Sequence, residues 1–259
     1  MAIAGLFVIG AGQAAASAFT VTPVRVFLGP NASSALLNVH NDSTEPIRFQ
    51  ITLRAWNQAA DGDMQLSETN DLTFFPAMME LKPGEEKKVR VGSAFKAPVA
   101  TERSYRIFFE ELPPPQVAAT SDAKPAGAQV RVLTKMGVPI FVQPPTPIVK
   151  GALANVAAGN GTITFDVNNV GNSFFVVNGP TVTGLARTGS ATFTKQQEGW
   201  YVLAGGTRHF KLDIPADACA STERIKIDVA SSLADDKGNP NPLSQEVAVT
   251  SPCGAVHAR

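Results

Sequence analysis

Apolar and polar residues alternate along this chain with a period of two. Ile47, Phe49, Ile51, Leu53 and Ala55 are separated by Arg48, Gln50, Thr52 and Arg54. Successive side chains of an extended strand point to opposite faces, so this run predicts a strand with one dry face. The same signal predicts strands over 19–28, 35–40, 72–75, 87–91, 105–112 and 130–142, bounded by turn residues such as Gly29-Pro30 and Asn41-Asp42. After Pro144-Pro145-Thr146-Pro147 the style repeats over 161–170, 174–177, 191–194, 200–203, 209–214, 225–229 and 246–250. Short strands at such spacing read as β-sandwiches, and the proline-rich stretch reads as a rigid linker between them. The predicted fold is all-β: one sandwich over 19–144 and a second over 145–259. No helix longer than two turns is predicted.

The length of 259 residues suits two domains, and 44% apolar residues suffice for a core in each. The first 18 residues read as a signal peptide, with an apolar stretch and the small-x-small site Ala16-Ser17-Ala18, though without a basic start. The chain is therefore expected to be exported. Lys+Arg and Asp+Glu both number 22, and no basic run with interleaved aromatics occurs, so nucleic acid is not an expected partner. No apolar stretch reaches membrane-spanning length, so membrane insertion is not expected either. Cys219 and Cys253 are the only cysteines. Export favours a bridge between them; two buried thiols are the alternative.

No catalytic constellation emerges. His40, His209 and His257 are scattered, without metal-ligand spacing. No nucleophile elbow or phosphate loop is present. Glu110 and Glu111 are adjacent on a predicted strand and so point to opposite faces. No enzyme activity, cofactor or metal is expected.

The segment 130–142 stands out. It follows a loop-like stretch, 116–129, and places Val130, Val132, Thr134, Met136 and Val138 on one face, with Arg131, Leu133 and Lys135 on the other. An apolar strand with a free edge is an aggregation hazard unless a partner uses it, and strand addition is one such use. The same pattern also fits an ordinary core strand.

Further motifs carry a family resemblance. In order they are Thr22-Pro23-Val24-Arg25-Val26-Phe27-Leu28, then Leu36, Asn38, Val39 and Asn41, Trp56, Pro76, Leu81-Lys82-Pro83-Gly84, Val89-Arg90-Val91, Glu102-Arg103-Ser104-Tyr105-Arg106-Ile107, Glu111-Leu112-Pro113 and Pro139-Ile140-Phe141-Val142. Over about 120 residues this resembles the periplasmic pilus-assembly chaperones of the chaperone–usher pathway, the PapD-like family. The resemblance implies two immunoglobulin-like sandwiches in a boomerang arrangement. It implies a periplasmic protein that lends a strand to pilin subunits lacking their own last strand and delivers them to an outer-membrane usher. Val130, Val132, Thr134 and Met136 match the donor strand. Arg25 matches one of two basic groups that hold the subunit's C-terminal carboxylate. The second, a lysine, falls on Pro139; Lys135, on the same face four residues earlier, is the candidate replacement. Glu102 matches the acidic member of an interdomain charge network, but Gln143 stands where its arginine is expected. These departures point to a divergent, archaic-type branch. An exposed apolar edge also invites self-capping as a homodimer. The competing reading is a structural or adhesive secreted sandwich, such as a pilus component.

Overall fold

The computed structural model describes residues 18–95, 97–114, 132–234 and 238–250. The first half contains β1 (Phe19–Thr22), β2 (Val26–Leu28), β3 (Ser34–Asn41), β4 (Ile47–Gln58), β5 (Met64–Ser67), β6 (Leu72–Phe75), β7 (Met78–Leu81), β8 (Glu86–Ser93), β9 (Arg103–Leu112) and β10 (Lys135–Val142). One sheet has the order β1-β3-β8-β6. The other runs β2-β10-β9-β4-β5, with β7 also on β4. They face each other across a core that includes Leu37, Val39, Phe49, Ile51, Leu81, Val89, Ile107, Phe109, Val138 and Ile140.

The second half contains β11 (Gly151–Gly159), β12 (Thr162–Asn169), β13 (Phe175–Leu185), β14 (Ala191–Gln196), β15 (Tyr201–Val202), β16 (Thr207–Asp213), β17 (Arg224–Ser231) and β18 (Leu243–Ala248). Sheets β11-β12-β16 and β14-β13-β17-β18, with β15 on β13, enclose Ile163, Phe165, Val167, Phe175, Val182, Ile225 and Ile227. Among the described residues the only helical element is the single turn Cys219–Ser221. The two halves share a turn device. The amide of Asn41 ends β3 by donating to the Glu45 and Leu81 carbonyls, and that of Asn169 ends β12 by donating to the Ser173 and Val202 carbonyls. Both asparagines are buried, where an unmet amide would be costly, so each holds its turn firmly.

Two differences from the sequence pattern bear on the site. The continuous run 19–28 divides at Pro23: β1 joins one sheet and β2 the other. Proline has no N–H for a ladder, so the chain leaves the first sheet there. Of the predicted strand 130–142, residues 130 and 131 lie outside the described residues, Val132 forms an isolated bridge, and the regular strand begins at Lys135.

The sandwiches meet through a third apolar cluster, Trp56 and Phe141 from the first half with Tyr201 and Leu203 from the second. Trp56 lies on the outer face of its sheet, yet only 1% of it is exposed because the second sandwich covers it. Phe141 and Phe174 stack with centroids 4.0 Å apart. Gln58 Nε2 donates to the Tyr201 carbonyl at 2.8 Å, and the Glu102 N–H to the Asn172 carbonyl at 2.9 Å.

Candidate functional site

The cleft between the sandwiches gathers two guanidinium groups among aromatic rings. Arg25 precedes β2, which pairs in parallel with the end of β10, Val26 opposite Ile140. That pairing places Arg25 level with Pro139 at the mouth of the cleft. Its guanidinium lies 5.4 Å from the Tyr201 ring centroid and 5.8 Å from that of Phe174. It is exposed and has no hydrogen bond or ion pair among the described residues.

The second guanidinium was not expected from the sequence. Arg106 on β9 lies directly opposite Pro139 in the β9–β10 ladder. Its guanidinium sits 4.3 Å from the Trp56 ring centroid and 5.6 Å from that of Trp200. Arg106 is 8% exposed, forms no ion pair, and its Nε is buried without a partner. Burial disfavours its charged form, partly offset by the nearby Tyr201. Trp56 Nε1 is a second buried donor without a partner. A buried cation and unmet N–H donors beside a cleft form a receptive environment for an anion, and a carboxylate suits the forked geometry of a guanidinium.

Lys135 lies elsewhere. It opens β10, its Nζ is 2.7 Å from Glu110 Oε2, and it lies over the Phe108 ring. Four residues of strand, about 13 Å, separate it from the level of Pro139 and Arg25. The structure therefore sets Arg25 and Arg106 level with Pro139, on either side of β10, and leaves Lys135 further along the edge. Arg106 does carry a sequence signal. It alternates with Tyr105 and Ile107, so it must sit on the face that Pro139 shares across the ladder.

The edge of β10 is half open. β2 covers it only from Ile140 onward. The Gln143 N–H donates to the Leu28 carbonyl, whereas the Thr134 carbonyl accepts from Glu111 on the other side. Odd-numbered backbone groups therefore face the β2 side. Those of Lys135 and Gly137 point past the end of β2 to the open edge, while Pro139 has no N–H to offer. The expected donor residues divide along this strand. Val130 lies outside the described residues. Val132 is 51% exposed. Thr134 is tied to Glu111, whose N–H donates to its carbonyl at 2.9 Å. Met136 is half-buried against the first core. Cys219 packs against the second core and is not free; Cys253 lies outside the described residues.

Comparisons with known proteins bear on the family and the fold. The sequence model of the pili and flagellar-assembly chaperone family, PapD N-terminal domain, matches residues 18–147. Among solved structures, the fold is similar to the CsuC–CsuE chaperone–tip adhesion subunit pre-assembly complex from archaic Csu pili of Acinetobacter baumannii. That match has 19% identity over 90% of this chain and 99% of that one, with a TM-score of 0.57. It is also similar to the Salmonella enterica SafA pilin–SafB chaperone complex, with 19% identity over 91% and 99% and a TM-score of 0.52. The E. coli chaperone DraB matches with 17% identity over 91% and 99% and a TM-score of 0.52. At these identities the likeness establishes the fold, a two-domain β-sandwich. No curated protein matches the sequence.

Proposed function

This chain belongs to the pili and flagellar-assembly chaperone family, a family of non-enzymatic binding proteins, and from that premise we propose that it holds pilin subunits in the periplasm by strand donation and passes them to an outer-membrane usher. Residues 1–18 serve as the export signal, and 19–144 and 145–259 are the two domains. The subunit adds its incomplete sheet to the open edge of β10. Val130 and Val132 fill the place of its missing strand, Thr134 sets the register, and Met136 anchors the donor strand to the chaperone's own core. The subunit's C-terminal carboxylate lies in the cleft, gripped by Arg25 and Arg106. Cys219 and Cys253 pair and tie the end of the chain to the second sandwich. No cofactor takes part. Without a subunit, the same edge is free to pair with a second copy.

The observation that carries this reading is the Arg25–Arg106 pair at the end of the open edge. The buried Arg106 lacks any counter-ion, and a subunit carboxylate would supply one. Co-expression with a secreted pilin-like subunit encoded beside it tests the proposal. A stable complex is expected from the wild type and none from Arg25→Ala with Arg106→Met. Equal yields from both would remove the cleft from the binding site.

A further inference from the structure

The joint between the sandwiches holds a buried carboxyl that no cation balances. Glu102 is 6% exposed and forms no ion pair. Its N–H donates to the Asn172 carbonyl at 2.9 Å, and its Oε1 accepts the Phe174 N–H at 3.0 Å. Its Oε2 is buried without a partner. Asn172 closes the same joint, donating from Nδ2 to the carbonyls of Ala100 at 3.3 Å and Thr146 at 3.1 Å. Residues 100–102 and 172–174 are thus laced together, with Glu102 supplying two of the bonds.

The charged groups nearby are occupied with one another. On β9, which follows Glu102, Arg103 Nη1 lies 3.3 Å from Asp71 Oδ2, and the Tyr105 hydroxyl donates to that oxygen at 2.7 Å. From the linker, Gln143 offers a neutral amide. Its side-chain hydrogen bond favours the ionised form but brings no positive charge. Across the joint, Asn172, Ser173, Phe174, Leu203 and Ala204 carry no charge. A lone buried carboxylate is costly, and the carboxyl avoids that cost by keeping its proton.

We propose that Glu102 is a proton-operated latch between the two sandwiches: protonated, it lets the joint close, and ionised, it loosens the side of the cleft that carries Phe174. One residue carries the coupling. The Phe174 N–H binds Glu102, while its ring stacks on Phe141 and lies beneath the Arg25 guanidinium. Burial pushes the Glu102 carboxyl up from 4.5 to about 7, against the opposing pull of the Phe174 N–H and Gln143. A carboxyl raised in the folded state contributes stability that is full below about 4.5 and lost as the pH rises through about 7.

Both tryptophans of the chain, Trp56 and Trp200, touch Arg106 in this cleft, so their fluorescence reports on the joint. In the purified chain, the emission maximum should shift with a midpoint near pH 7, and the melting temperature should fall between about pH 4.5 and 7 and level off above. Glu102→Gln, neutral and of the same shape, should abolish both shifts. Gln143→Arg should supply the missing cation and lower the midpoint by about one pH unit or more. A flat wild-type profile overturns the latch. So does a transition that survives unchanged in Glu102→Gln, which would assign it to another group. No subunit is needed, so the outcome is independent of the carboxylate reading.

Discussion

Arg106 stands directly across the β9–β10 ladder from Pro139, the position where the family resemblance calls for a lysine. The cation is thereby moved one strand sideways while staying on the same outward face of the sheet. Its replacement should weaken subunit capture by about 10- to 100-fold, the range for a lost hydrogen bond to a charged group. Arg106→Met keeps the apolar contact with Trp56 and isolates the charge; Arg25→Ala should act in the same direction. Lys135→Ala should change capture by less than about threefold, because an exposed ion pair contributes little. Titration calorimetry with a purified subunit measures all three. A strong loss in Lys135→Ala with none in Arg106→Met would return the role to Lys135.

Val132 and Met136 share a strand face but should respond differently to substitution. Val132 is exposed and outside the regular ladder, so Val132→Asp should leave stability within about 0.5 kcal/mol while reducing complex yield. Met136 packs on the first core, so Met136→Asp should destabilise the chaperone itself by several kcal/mol. Urea unfolding alongside co-purification separates the two effects. Normal complex yield from Val132→Asp together with Val130→Asp would argue against strand donation.

Phe141 is fully buried between the sandwiches and stacks on Phe174. Phe141→Ala should cost about 3–5 kcal/mol through the cavity it leaves. The loss should be shared with Phe174, so a double-mutant cycle with Phe174→Ala should give a coupling of about 0.5–1.5 kcal/mol. Additive losses would mean that the stack does not join the domains.

The pH dependence contains a second contribution, opposite in sign to that of Glu102. Burial opposes the charge of Asp166, but the Asn155 amide and His209 Nδ1, each 2.6 Å away, outweigh it and hold the carboxyl below the usual range. A depressed carboxyl contributes stability above its ordinary value of 3.8 that is lost as the pH falls through the lower folded value. The stability advantage of the wild type over Asp166→Asn should therefore shrink on acidification below about pH 4. Urea midpoints across that range test this, and a constant difference would refute it.

Period-two alternation was sufficient to specify the all-β class, the two sandwiches and most strands, because burying one face of a sheet is a local demand written into every second residue. It could not divide 19–28 between two sheets, since strand exchange at Pro23 depends on which neighbours each half meets. Met64–Ser67 alternates over only four residues and buries neither face, too short a run to single out. Arg25 was legible because it lies within a linear motif. Arg106 was not, because its place beside Pro139 arises only when β9 is set in register with β10 and the second sandwich covers Trp56. The sequence by itself determined which faces are dry, where the chain turns and that position 139 holds a proline and no cation. Only the tertiary structure decided which cation stands beside that gap, which edge remains open and that Glu102 is sealed without a counter-ion, because each depends on residues far apart in the chain sharing one desolvated space.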